Sequence, residues 1–179
     1  MQSNQKDTIM TIFKHLLLLA YLTTLSNATV IDKQLKCLAL NIYYEARSSN
    51  LADQAAVADV VLNRVRSADY PNTICKVVKQ GKISKWQLQI NGKRIPLRNR
   101  CQFSWFCDGK PDIPLDQDAW EKAKLLAVQI YKYMVFRGIT EGSLFYHATY
   151  VNPFWALHYQ LVGTIGKHKY YRKFRKDTE

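Results

Sequence analysis

Glycine and proline are scarce in this 179-residue chain, at 7 and 5 residues. That excludes collagen-like, linker-like and low-complexity classes, which depend on those residues. Acidic residues are few as well: 14 Asp+Glu stand against 26 Lys+Arg, a formal charge of +12. A strongly basic protein favours a polyanionic partner, which fits nucleic acid, an anionic membrane face or a cell wall equally well. Long apolar runs are missing. The longest, Leu16–Leu25, has ten residues, about half of the roughly 20 needed to span a bilayer. No Cys-x-x-Cys and no paired His at ligand spacing occurs, so no metal site or other cofactor is indicated. What is present is 47% apolar and 12% aromatic residues, enough for the core of a single domain of this length.

Residues 1–28 read as a removable export signal. Lys6, Lys14 and His15 precede the apolar run, and Ser26-Asn27-Ala28 supplies small residues where a signal peptidase cuts. A buried amphipathic helix and an uncleaved membrane tether are the rival readings. The expected destination is the periplasm or cell wall, and the remaining residues 29–179 stay strongly basic. All four cysteines, Cys37, Cys75, Cys101 and Cys107, fall in that part. An even count in an exported chain suggests two disulfides, with three possible connectivities. Cys101 and Cys107 are close enough to pair locally, which would leave Cys37 with Cys75.

No internal repeat or linker interrupts residues 29–179, so one domain is expected. Asp32 can cap a helix to about Arg47, with Leu35, Leu38, Ala39, Ile42 and Ala46 along one face. Asn50 with Asp53 resembles a capping box opening a second helix, which Pro71 stops. A short helix follows over 73–79. Trp86, Leu88 and Ile90 then alternate ahead of Asn91-Gly92, predicting a β-hairpin over 86–97. Asp116 caps a third long helix that Gly138 ends. Residues 143–150 and 161–171, rich in aromatic and β-branched residues, predict short strands. The class is α+β, mostly helical, with a small antiparallel β element.

Glu45 stands out chemically. It lies about 20° around the helix from Leu38, beside the apolar stripe. It is also in the last turn, where unpaired carbonyls disfavour a negative charge. Both effects push a carboxyl toward its protonated form, the state needed by a general acid in glycosidic cleavage. A structural ion pair with Arg47 or Arg64 is the alternative. Asp53, Asp59, Asp108 and Glu141 have no spacing that recommends them as a second carboxylate, and Asp59 reads as a solvated helix position.

The runs Cys37-Leu-Ala-Leu-Asn-Ile-Tyr-Tyr-Glu45-Ala-Arg47 and Gln54-Ala-Ala-Val-Ala-Asp-Val-Val-Leu-Asn63-Arg64-Val are followed by several others. These are Tyr70-Pro71-Asn72-Thr73, Cys101-Gln102-Phe103-Ser104-Trp105, Phe145-Tyr146-His147-Ala148 with Asn152-Pro153, and Ile165-Gly166-Lys167-His168. Together they resemble the spore cortex-lytic (SleB-type) cell-wall hydrolase family over about residues 35–171. The resemblance implies a lysozyme-like single domain that cleaves peptidoglycan between N-acetylmuramic acid and N-acetylglucosamine. It implies lytic transglycosylation, with Glu45 as the catalytic acid. Gln102 and Ser104 become candidate sugar-binding groups, as do Tyr146 and His168. Tyr146 and His147 alternate along a strand, so at most one should face a cleft. Asn63 and Arg64 read as scaffold. The segment at about 81–100 is an insertion that could cover one side of the cleft or grip a neighbouring strand.

Other functions compete with this reading. The basic tail over 167–179, interleaved with aromatics, could bind nucleic acid. Export and disulfides argue against that, and no nucleic-acid module signature is present. A lysozyme-type muramidase and a non-catalytic peptidoglycan-binding protein are closer alternatives. The expected partners are peptidoglycan and the anionic cell envelope, held by a monomer that uses its own charge for retention.

Overall fold

A computed structural model describes residues 3–174. Residues 175–179 of the basic tail lie outside the described residues, as do residues 1–2 and the side chains of the Leu16–Leu25 run. The chain divides into two compact units, Met1–Lys33 and Gln34–Glu179. The first unit is helical throughout its described part, with Met10, Lys14 and His15 exposed. Among the described residues, no helix is long and apolar enough to cross a membrane.

Helix α1 spans Ser3–Ala46. Asp32 is therefore an exposed position inside a helix rather than its cap, because no Gly or Pro near it breaks the helix. In the second unit, α1 buries Leu35, Leu38, Ala39, Ile42 and Ala46, the stripe that the spacing marked. Asn50 caps α2 (Leu51–Arg66) by accepting from the Asp53 N–H at 2.9 Å. Every residue from Ala55 to Leu62 is buried. Its alanines and valines are small enough for neighbours to close on α2 from two sides. One side joins the main core with α1, α3 (Ile74–Val78) and α5 (Gln117–Tyr133); the other packs Ala56 and Val60 on Tyr170.

The four cysteines pair as Cys37–Cys75 and Cys101–Cys107. The first bond ties α1 to α3 across 38 residues of sequence. Closing a loop of that length stabilises the fold by about 4 kcal/mol through the unfolded chain's lost freedom.

The segment expected to form a hairpin folds differently. Strand β1 (Gly81–Ile83) is followed by α4 (Lys85–Asn91) and β2 (Pro96–Cys101), and β1 pairs antiparallel with β2. Ser84 caps α4, and Gly92, at φ 66°, ends it in the left-handed conformation. Asn-Gly serves a helix C-terminus as readily as a type I′ turn, because both need positive φ. Helix α5 also ends early. Asp116 caps its start, but Met134 adopts φ 59° and the Val135 N–H reaches back to Gln129 O at 3.2 Å, four residues before Gly138. The second sheet is antiparallel in the order β3 (Phe145–Ala148), β5 (His168–Arg172), β4 (Gln160–Ile165), with Tyr146 opposite Tyr170 and Ala148 opposite His168.

Asp59 is not solvated. It is fully buried in α2 and pairs with Arg137. It also accepts from Gly138 N at 3.1 Å and from the Thr140 hydroxyl at 2.6 Å. Its partners lie nearly eighty residues away, so helix periodicity could not expose its role. Asn63 donates to Thr140 Oγ1 and Ser143 O, both at 3.1 Å, which is scaffold work.

Candidate active site

Glu45 sits one residue from the end of α1 and opens into a cleft of about 620 Å³. The cleft also takes in Gln102, Ser104, Tyr146 and His168, so the fold brings the five sequence-predicted site residues to one cavity. Much of the remaining wall is aromatic: Tyr44, Tyr70, Phe103, Trp105, Phe145, Trp155 and Tyr159. Flat rings with polar tips suit the faces and hydroxyls of sugars. Among the described residues, Glu45 is the only carboxylate lining this cleft.

The Tyr146 hydroxyl donates to Glu45 Oε2 at 3.1 Å. Burial raises the Glu45 pKa above the ordinary carboxylate value. The Tyr146 hydrogen bond and the interactions with His168 and Arg64 pull the other way without reversing it. Burial and the Glu45 charge push the Tyr146 phenol well above its usual range, so it stays protonated and remains a donor. Half-buried Glu45 is therefore poised toward its acid form, with one oxygen already committed to Tyr146.

A second layer holds Tyr146. Its ring meets His168 edge-on at 5.2 Å and Tyr170 at 5.7 Å. His168 Nδ1 hydrogen-bonds the Asp53 carboxylate at 2.9 Å, and the same carboxylate accepts from the Tyr170 hydroxyl at 2.8 Å and Lys167 N at 3.0 Å. Burial alone would raise the Asp53 pKa, but these hydrogen bonds, led by His168, lower it below the usual value. Asp53 is thus a buried anchor for the β4–β5 turn rather than a second reactive group. Gly166 makes this approach possible. It has φ +58°, and a Cβ there would sit 2.6 Å from the Asp53 Cβ. His168 borders the cleft while being held from behind.

Gln102 and Ser104 lie exposed on the cleft wall, beside the 3₁₀ turn over Ser104–Cys107. His147 borders the cleft too, contrary to the expectation that only one of Tyr146 and His147 would. The segment Phe154–His158 folds against the other face of β3, putting Trp155 5.5 Å from the His147 ring. His147 Nε2 is engaged by the Tyr171 hydroxyl at 2.9 Å, and only Tyr146 reaches Glu45. Among the described residues, none of 81–100 lines the cleft, so this segment does not cover it. Its α4 instead exposes Trp86 and Ile90.

Arg64 exceeds its sequence reading as scaffold. Its Nε does donate to Leu144 O at 2.8 Å, but the guanidinium also lines the cleft between the rings of Tyr70 and Phe103, at 5.2 and 5.3 Å. No periodicity marks such a role, because both rings and the carbonyl come from other segments.

A family model described as Cell Wall Hydrolase matches residues 48–171, a span that begins just after Glu45. Among solved structures, the catalytic domain of the germination-specific lytic transglycosylase SleB from Bacillus anthracis is similar. The identity is 26%, covering 78% of this chain and 93% of that one, with a TM-score of 0.54. The catalytic domain of the Bacillus cereus SleB protein is 24% identical over 79% of this chain and 91% of that chain, with a TM-score of 0.49. A search of curated proteins returned no match.

Proposed function

This chain belongs to the cell wall hydrolase family, and from that premise we propose that it cleaves peptidoglycan glycan strands by lytic transglycosylation, with Glu45 as acid and then base. The bond broken is the one between N-acetylmuramic acid and N-acetylglucosamine. The observation that carries this reading is that, among the described residues, a single carboxylate lines an aromatic cleft. A hydrolase acting through water ordinarily needs a second carboxyl, about 5 Å away for retention or 6.5–9.5 Å for inversion. Transglycosylation needs only one, because the sugar supplies its own nucleophile.

In the first half-reaction, Glu45 gives its proton to the glycosidic oxygen as the C1–O bond breaks. Tyr146 occupies Oε2, which leaves Oε1 to carry that proton. The raised pKa keeps the acid form available at higher pH than an ordinary carboxyl allows. In the second half-reaction, the Glu45 carboxylate takes the proton of the muramic acid 6-hydroxyl, whose oxygen closes on C1. The product carries a 1,6-anhydro ring, and Glu45 ends protonated again. Tyr146, Arg64 and His168 stabilise the carboxylate between the two steps.

We also propose that residues 1–28 direct export. Ordinary peptidoglycan is then the substrate, and the excess positive charge retains the protein on the anionic envelope, a hold that salt should weaken. Mass spectrometry of fragments released from purified sacculi tests the reaction. Lytic transglycosylation yields 1,6-anhydromuramic ends, lighter by one water than the reducing ends a muramidase would leave. Release of reducing ends would assign the chain to hydrolysis.

A further inference from the structure

Behind the wall that carries Tyr44 and Trp105 lies a second pocket of about 710 Å³. Those two residues line both cavities, and their rings stack at 4.8 Å with an 18° angle between planes. The pocket therefore adjoins the cleft across one aromatic partition, and Tyr44 directly precedes Glu45 in the chain. Its far side is the loop over residues 108–116. That loop is held against α1 by the Tyr43 hydroxyl, which accepts from Leu115 N at 3.1 Å and Asp116 N at 3.0 Å. Its near end is held by Arg98, whose Nε donates to Asp108 O at 3.0 Å. The walls are thus built without a ligand.

The lining is charged in both signs. Asp108 and Asp112 are half-buried, and neither is in an ion pair among the described residues. Burial and the Asp108 carboxylate raise the Asp112 pKa, the Lys79 ammonium pulling only partly against them. Lys110 lines the same pocket without an ion pair to either carboxylate among the described residues. Arg47 also lines the pocket, its guanidinium 4.8 Å over the Tyr43 ring and in no ion pair among the described residues. Ile113 and Leu115 add an exposed apolar rim. A neutral sugar would use none of these charges. The peptide attached to muramic acid is different: it carries free carboxylates and the side-chain ammonium of a diamino acid.

We propose that this pocket receives the stem peptide of the muramic acid bound beside Glu45, with the peptide's ammonium between Asp108 and Asp112 and one of its carboxylates on Arg47. The inference rests on the peptidoglycan-cleaving reading above. It makes the protein selective for strands that still bear peptides, and it separates peptide recognition from the glycan chemistry of the cleft.

The test compares kcat/KM on soluble glycan strands bearing stem peptides with the same strands stripped by an amidase, for wild type, Asp112→Asn and Arg47→Gln. Wild type should favour the peptide-bearing strands. Each variant should lower that preference by about two- to fivefold, mainly through KM, the scale of one partly exposed charge pair. Because the readout is a ratio within one protein preparation, a general loss of activity does not mimic it. Arg47 is exposed, so its variant buries no new polar group. Equal turnover of both strands by wild type would overturn the proposal, as would a preference unchanged in both variants. Wild type that cuts neither strand would instead remove the parent reading, and this one with it.

Discussion

Replacing Tyr146 with Phe removes one oxygen and leaves the ring against His168 and Tyr170. The lost hydrogen bond stabilises the Glu45 carboxylate, so its removal should raise the Glu45 pKa further. Hydrogen bonds to charged groups contribute about 1.5–3 kcal/mol. The observed 3.1 Å separation is long for a hydroxyl on a carboxylate, which places this one at the lower end. About 1.5 kcal/mol corresponds to roughly one pH unit. Protonated Glu45 is the acid, so activity falls as pH rises through its pKa, and the alkaline limb should move up by about one unit in Tyr146→Phe. The first half-reaction should slow at the same time, because the carboxylate it leaves behind is less well held and Glu45 is a weaker acid, giving a kcat about tenfold lower at the optimum. The assay is kcat/KM against pH on soluble glycan strands. An alkaline limb that stays in place, or moves to lower pH, would refute the role given to Tyr146.

Three further outcomes follow from the same geometry. Gly166→Ala combines strained backbone with a Cβ pressed against Asp53; it should cost about 2 kcal/mol or more and lower the melting temperature by about 5 °C or more, whereas an unchanged melting curve would contradict the close packing. Replacing both Cys37 and Cys75 with Ser should lower unfolding free energy by up to about 4 kcal/mol in denaturant titrations; no loss would mean the bond does not constrain the unfolded chain. Because the folded-state pKa of Glu45 is raised, wild-type stability should fall as pH climbs from the ordinary carboxylate value through the raised one. Glu45→Gln should therefore match wild type below about pH 4 and exceed it in thermal melts at neutral pH; a variant less stable than wild type at neutral pH would reverse the sign.

The parts of this molecule readable from sequence are those whose chemistry is local. Asn50 and Asp116 each cap a helix through a backbone N–H three residues on, and each is legible as spacing. The apolar stripe of α1 was visible for the same reason, and it placed Glu45 beside the core. Local signals failed where one residue pair serves two conformations, as Asn91-Gly92 does, or where a left-handed ending falls on Met134 rather than glycine. The solvated reading of Asp59 fails, and the scaffold reading of Arg64 is incomplete, because Arg137, Thr140, Tyr70 and Phe103 reach them only through the tertiary fold. Tyr146 was selected through the family resemblance. Its bond to Glu45 spans 101 residues and could not have been drawn from periodicity.

The most direct measurement is muropeptide release from purified sacculi by Glu45→Gln beside wild type, with the bound protein quantified in the same samples. The account predicts fragments with 1,6-anhydromuramic ends from wild type, none from the variant, and equal binding by both. Continued release by a folded, wall-bound Glu45→Gln protein would contradict it.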